Sequence, residues 1–177
     1  SVAVVHLTSD RGQHAAARRA GQLQRLVEGL PEDALIVGDL NFGDEHTAPE
    51  LVDFTDLWPL LCPDDPGLTY DPATNDLAAV LSPSSRARRL DRVLLKADPA
   101  RAVPAAIAMF GQEPLPAADP PLFLSDHYGL IARLRLGAAS QALAASPTTH
   151  RSAVAVVPPR DPVSYTHLRA HETVRNL

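Results

Sequence analysis

The stretch Leu35-Ile36-Val37-Gly38-Asp39-Leu40-Asn41-Phe42 constrains this chain more than any other. An apolar run ends in Gly-Asp-Leu-Asn. Side chains alternate faces along an extended chain, so Asp39 and Asn41 point one way and Leu40 the other. A carboxylate and a carboxamide then stand side by side where a buried strand ends. The carboxylate suits a metal ion or a water proton. The carboxamide can donate to a phosphate oxygen or fix the carboxylate. The same residue types also build an ordinary Asp/Asn turn, so this stretch by itself leaves turn and active site as level readings.

The surroundings read as a layered α/β arrangement. Residues 2–8 form a strand, with Val2, Val4, His6 and Thr8 on one face and Ala3, Val5 and Leu7 on the other. Both faces are mostly apolar, which predicts a strand buried on two sides. Residues 14–29 form a helix: Ala16, Ala20, Leu23, Leu26, Val27 and Leu30 make its apolar stripe, and Arg18, Gln22 and Arg25 its outer face. Gly29 and Pro31 stop it. The strand 34–38 follows, so strand, crossing helix and strand come in order. A short strand is expected around residues 56–58. Residues 63–89 are Pro-, Asp- and Ser-rich, with Leu68-Thr69-Tyr70-Asp71 as the one strand-like island. Residues 90–96 form a strand. Residues 98–121 form a long Ala/Pro connection with a short helical turn near 107–110. The strand from 127 or 128 to 136 alternates strictly, with Leu130, Ala132, Leu134 and Leu136 inward and Arg133 and Arg135 outward.

Composition narrows the class. At 177 residues with 45% apolar and only 5% aromatic residues, the chain suits one domain with a Leu, Val and Ala core. Its 17 prolines argue against a long helical bundle. Cys62 is the only cysteine, so no internal disulfide forms. This fits a reducing compartment, and an intracellular location, cytoplasmic or nuclear, is the expectation. No apolar run approaches the ~20 residues of a membrane span. Ser1-Val2-Ala3-Val4-Val5 has no basic n-region and reads as the middle of a longer chain rather than a signal peptide. A net charge of −5 disfavours coating of a nucleic acid duplex. It leaves room for an enzyme that handles one phosphate through a bound cation.

Further residues could carry chemistry. Ser125-Asp126-His127 places an acid and an imidazole at the start of a strand, and histidine suits phosphate contact or proton movement near neutral pH. Asp91 shares a face with Val93 and Leu95, which aims a carboxylate at apolar surroundings. Buried Asp is rare unless paired. A histidine from elsewhere is one partner; Arg86, Arg88, Arg89 or Arg92 is the alternative. His6 lies just before Thr8 and Ser9, where the first strand runs out. Tyr70 could stack on a base or pack in a loop. Cys62 has no local basic neighbour, which argues against a catalytic thiol.

Four blocks come in a recognisable order: His6-Leu7-Thr8-Ser9, Gly38-Asp39-Leu40-Asn41, Leu90-Asp91-Arg92-Val93-Leu94, and Ser125-Asp126-His127-Tyr128-Gly129-Leu130. Together they resemble the endonuclease/exonuclease/phosphatase superfamily, the deoxyribonuclease I-like fold, and most nearly its tyrosyl-DNA phosphodiesterase type. Asp56-Leu57-Trp58 and Leu68-Thr69-Tyr70-Asp71 match two further blocks, with Tyr70 in a Trp place. The resemblance implies a four-layer α/β/β/α sandwich, an α+β or α/β layered class, incomplete at the N-terminus. It implies that Asp39 orients or deprotonates the attacking water and that Asn41 holds it and the phosphate. His127 would stabilise charge on the phosphoryl group, with Asp91 orienting His127. Asp126 would sit near the metal with Asp39. His6 and Ser9 would contact phosphate oxygens, and Tyr70 would meet substrate. The implied cofactor is Mg2+, with Mn2+ as a substitute.

The family's Asn strand and metal-binding Glu have no match here, so residues 1–136 read as the C-terminal part of the domain, inactive alone. Residues 137–149 read as a linker. Residues 150–162 resemble the first strand of a second domain, of the two-histidine phosphoesterase kind. Residues 163–177 resemble a translated sequencing adapter and stand outside the fold reading. The resulting expectation is a metal-dependent phosphodiester hydrolase acting on nucleic acid ends or adducts, with no membrane and no obligate protein partner. The alternatives are an inositol-phosphate or sphingomyelin phosphoesterase of the same fold, or an inactive binding module.

Overall fold

The structure is a computed structural model that describes residues 1–10, 12–82, 85–116 and 121–137. The expected linker, second-domain strand and tail lie outside the described residues, apart from Gly137. The elements run β1 (Val2–His6), α1 (Ala15–Gly29), β2 (Ala34–Asp39), a 3-10 turn (Pro49–Leu51), β3 (Thr55–Asp56), α2 (Leu57–Leu61), α3 (Asp76–Leu81), β4 (Asp91–Lys96), β5 (Ala102–Phe110) and β6 (Gly129–Leu136). A first sheet has the order β1-β2-β4-β3, and β5 and β6 form a second. β1 and β2 are parallel, as the crossing helix requires. β4 runs antiparallel to β2 and to β3.

Each face of the first sheet has its own core. Leu7, Ile36, Leu40 and Leu94 pack with Leu23 of α1, and Leu26 and Leu30 join them. On the other face Val93 and Leu95 of β4, with Leu35 and Val37 of β2, meet Leu57 of α2 and Ile107, Leu130, Ala132 and Leu134 of the second sheet. Helix, sheet and second sheet therefore stack as three successive layers of the expected sandwich. Leu23, Ile36, Leu40 and Leu57 are essentially inaccessible, and burying each such side chain is worth about 1.5–3 kcal/mol.

Six local expectations change. β1 is covered on one face only: Val2 and Val4 are 66% and 81% exposed. The second sheet packs over β2 and β4, and β1 lies beyond it at the edge. The inward stripe of α1 starts at Ala15 rather than Ala16 and includes Arg19, which is 3% exposed. Arg19 Nη1 donates to the Thr8 carbonyl at 3.0 Å and pairs with Asp10 at 2.7 Å. Gln22, expected on the outer face, accepts the Thr8 backbone N–H at 3.0 Å. The strand near residue 56 ends at Asp56, whose carboxylate accepts the Trp58 N–H and caps α2. The Pro/Asp/Ser-rich region holds α3, capped by Asn75, whose side chain accepts from Leu77 and Ala78. The Ala/Pro connection contains no helical turn at 107–110; those residues belong to the nine-residue β5, which pairs with β6 along its length and shifts register at Pro104–Ala106. Cross-strand pairing overrides the weak strand propensity of Ala and Pro there. Leu136, expected inward, is 43% exposed at the end of β6.

Candidate active site

Three neighbouring strands bring one row of polar side chains to the end of the first sheet. His6 is opposite Asp39 in the β1–β2 register, and Asp39 is opposite Asp91 in the β2–β4 register. Residues directly opposite share a face. This is the face that carries Leu35, Val37, Val93 and Leu95 toward the second sheet. The row therefore sits where the space between the sheets opens, and His127 enters it from the residues just before β6.

Asp39 is held by its own turn. Its Oδ1 accepts the Asn41 backbone N–H at 2.7 Å and its Oδ2 accepts Asn41 Nδ2 at 2.9 Å. Asn41 Nδ2 also donates to the Leu7 carbonyl at 2.9 Å, which ties the turn to the end of β1. Asn41 adopts φ 55° and Gly38 φ 127°. The first is a left-handed position that Asn tolerates, and the second strongly favours glycine. A Cβ on Gly38 would collide with the Val5 carbonyl oxygen. The turn reading of Gly-Asp-Leu-Asn is realised, and the turn fixes the Asp39 carboxylate.

Asp91 resolves to the histidine partner. His127 Nδ1 donates to Asp91 Oδ2 at 2.7 Å, since an ionised carboxylate only accepts. The four arginines weighed as alternatives are engaged elsewhere. Arg86 meets Glu45 and Arg88 meets Asp10. Arg89 and Arg92 both pair with Asp44 and Asp56. Burial alone would lower the pKa of His127. The hydrogen bond and charge of Asp91, with the charges of Asp39 and Asp126, outweigh it and hold the imidazole above its ordinary value. Burial raises the pKa of Asp39, and the nearby Asp91 adds to this, against the Asn41 N–H and the two histidines.

One donor atom each from Asp39, Asp91 and His127 lies within 4.8 Å of the others. Their side chains remain 15%, 20% and 22% exposed, so the group is reachable from solvent. Two carboxylates in a partly open site suit a hard divalent cation that keeps waters or other oxygen ligands in its remaining positions. Imidazole suits softer metals better, so the two carboxylates are the better donors for a hard cation here.

His6, Asp126 and Tyr70 fall around this centre. His6 Nε2 is 3.4 Å from Asp39 Oδ2 on a side chain that is 77% exposed. Ser9 is half-buried in the segment after β1, and Asp126 is half-buried beside His127 and accepts a 3.3 Å hydrogen bond from Ser125 Oγ. Asp126 is not one of the three clustered donors. Tyr70 is 8% exposed, its hydroxyl donates to the Ala78 carbonyl at 3.2 Å, and its ring lies 5.1 Å from the His127 ring. It meets the site through His127. Cys62 is a half-buried free thiol. Supporting residues that sequence reasoning missed are Thr69, Thr74 and Asn75. Asn75 Nδ2 donates to the Ser125 carbonyl at 2.9 Å while its Oδ1 caps α3. The Asn-Asp start of a short apolar segment was the one available signal.

No protein-family model matches the chain, and no curated protein matches it. Solved structures do. TDP2 of D. rerio in complex with a single-stranded DNA product is 26% identical, with TM-score 0.60 over 76% of this chain and 55% of its own. A beta toxin from Staphylococcus aureus is 22% identical, with TM-score 0.52 over 73% of this chain and 50% of its own. An endonuclease/exonuclease/phosphatase from Beutenbergia cavernae is 22% identical, with TM-score 0.51 over 77% of this chain and 36% of its own. The chain thus spans about half the length, or less, of these structures. Among the described residues, no helix is long and apolar enough to cross a membrane.

Proposed function

We propose that this chain, whose fold is that of the endonuclease/exonuclease/phosphatase superfamily, carries the Asp39, Asn41, Asp91 and His127 part of a divalent-metal-dependent phosphodiesterase site acting on nucleic acid ends or adducts. The observation that carries the reading is the 2.7 Å Asp91–His127 hydrogen bond set against Asp39, with one donor atom of each of the three residues within 4.8 Å of the others. An ionised carboxylate, a carboxamide and an imidazolium held at one strand end match what phosphodiester hydrolysis needs: a water-orienting base, a fixed turn and a cation for the phosphoryl oxygens. The likeness to a TDP2 structure that holds a single-stranded DNA product supports a nucleic acid end as substrate.

Each residue then has a task. Asn41 locks the rotamer of Asp39 through two hydrogen bonds. Asp39, its pKa raised by burial, orients the attacking water and takes its proton. Asp91 keeps His127 charged, and His127 turns its free Nε2 to a phosphoryl oxygen. His6, exposed beside Asp39, adds a second donor at the rim, and Ser9 would offer its hydroxyl to a phosphate oxygen. Asp39 would hold Mg2+ or Mn2+, with Asp126, beside His127, adding negative charge near the metal; the ion when bound would polarise the phosphoryl group and stabilise the leaving oxygen. Residues 1–136 act as the C-terminal part of the domain, and a complementary part supplies a further carboxylate.

A substrate panel on the full-length protein tests the reading: 5′-tyrosyl DNA, RNA with varied ends, inositol phosphates and sphingomyelin. Turnover of the nucleic acid substrates with Mg2+ is expected. Preference for a lipid or inositol phosphoester would contradict it.

A further inference from the structure

The Asp91–His127 pair joins two segments that no strand pairing connects. Asp91 opens β4 in the first sheet, and His127 precedes β6 in the second. The pair therefore needs a strut. Thr69 lies between the two segments and is fully buried. Its Oγ1 accepts the backbone N–H of Leu90 at 3.1 Å and of Asp91 at 3.0 Å. Its carbonyl oxygen accepts the backbone N–H of Tyr128 at 2.7 Å. One residue thus fixes the main chain of Asp91 and of the residue that follows His127. A hydroxyl oxygen has two lone pairs and can accept both N–H groups at once.

We propose that Thr69 is the positioning residue that sets the Asp91–His127 hydrogen bond. Three neighbours hold the same loop. Thr74 Oγ1 and the Tyr128 hydroxyl share a 2.9 Å hydrogen bond, Asn75 Nδ2 holds the Ser125 carbonyl, and the Tyr70 ring backs His127. Among the described residues, Thr69 is the one whose hydrogen bonds reach both Asp91 and Tyr128. Valine has the shape of threonine without the acceptor, so Thr69→Val strands two N–H groups and lets the start of β4 move away from the loop. Thr69→Ser keeps the acceptor.

The consequence for turnover rests on the phosphodiesterase reading; the geometric test does not. Proton NMR of the full chain reads the downfield His127 Nδ1–H resonance that a histidine–carboxylate hydrogen bond produces. The signal is expected in the unsubstituted chain and in Thr69→Ser, and is expected to vanish in Thr69→Val. Leu23→Ala, which opens the distant helix-side core, should retain it. A Thr69→Val protein that keeps the signal, or a Thr69→Ser protein that loses it, would overturn the proposal. Should Thr69→Val not fold, the through-hydrogen-bond coupling between the Tyr128 amide nitrogen and the Thr69 carbonyl carbon in the unsubstituted chain decides, its absence counting against the strut. In an active full-length protein Thr69→Val should lower kcat about 100-fold, with KM unchanged and Thr69→Ser restoring the rate. A rise in KM with kcat intact would contradict the proposal.

Discussion

Replacing Gly38 by alanine should destabilise the fold out of proportion to one methyl group. Gly38 sits beside Val5 in the parallel β1–β2 register, with φ 127°. An added Cβ would meet the Val5 carbonyl oxygen inside contact distance, with the Val5 carbonyl carbon and nitrogen at 3.1 and 3.2 Å. All three atoms are backbone, so no side chain can swing away. Two costs then add. The backbone conformation costs a non-glycine residue about 1–3 kcal/mol, and forcing the strands apart costs about 1–3 kcal/mol more. The sum, about 2–6 kcal/mol, is a large share of a typical stability of about 5–15 kcal/mol. Gly12→Ala and Gly29→Ala are the controls, because nothing lies within 4 Å of a Cβ at either position. Gly29 ends α1, and alanine there should be neutral or stabilising by about 0.4–1 kcal/mol. Urea unfolding measures all three; a loss of 3 kcal/mol moves the midpoint by roughly 1–3 M if the slope is unchanged. A Gly38→Ala protein within about 0.5 kcal/mol of the Gly12→Ala control would refute the reasoning. It would mean that the strand end carrying Asp39 is looser than the register implies.

The buried carboxylate of Asp39 is raised above 3.8, so at neutral pH its ionised form opposes folding, and the stability it contributes below that value is lost as pH rises through the folded value. Asp39→Asn should therefore flatten this pH dependence in urea unfolding, while its amide nitrogen forfeits one of the two hydrogen bonds from Asn41, at the expense of any activity. His127 is raised above 6.5, so its contribution is complete below that pH and is lost as pH rises through the folded value. Asp91→Asn should flatten this pH dependence and lower the His127 midpoint in an NMR titration. Arg89 is 7% exposed and bridges Asp44 and Asp56; Arg89→Met should cost about 1.5–3 kcal/mol, reduced where Arg92 still holds both carboxylates, as thermal unfolding at low salt would show.

Where local patterning and tertiary packing agree, the fold was legible in the residues. The Asp91, Val93, Leu95 alternation read correctly because β4 is central and its two faces meet different cores. The strand end at Asp39 and the turn at Asn41 were legible because both are local. β5 was hidden because its Ala- and Pro-rich residues become a strand only against β6. The phase of α1 was offset because Arg19 reads as outward by charge, while its guanidinium is buried against Thr8 and Asp10. The exposed Val2 and Val4 read as buried because apolarity does not reveal how far the second sheet extends. Thr69 and Asn75 were invisible as site supports because their role depends on segments 22 and 50 residues away. Local patterning left an arginine open as partner of Asp91; the family resemblance named His127, and the hydrogen bond is there.

Phosphodiester hydrolysis by the full-length protein, compared between the natural sequence and Asp39→Ala with Mg2+ present, tests the central claim most directly. The site described here predicts turnover of an adducted or end-blocked single-stranded DNA that falls by about 1,000-fold or more in Asp39→Ala, since removing one such electrostatic or water-orienting group costs factors of this order. Turnover that survives Asp39→Ala unchanged would place the chemistry elsewhere and leave the Gly38-Asp39-Leu40-Asn41 turn as a structural feature alone.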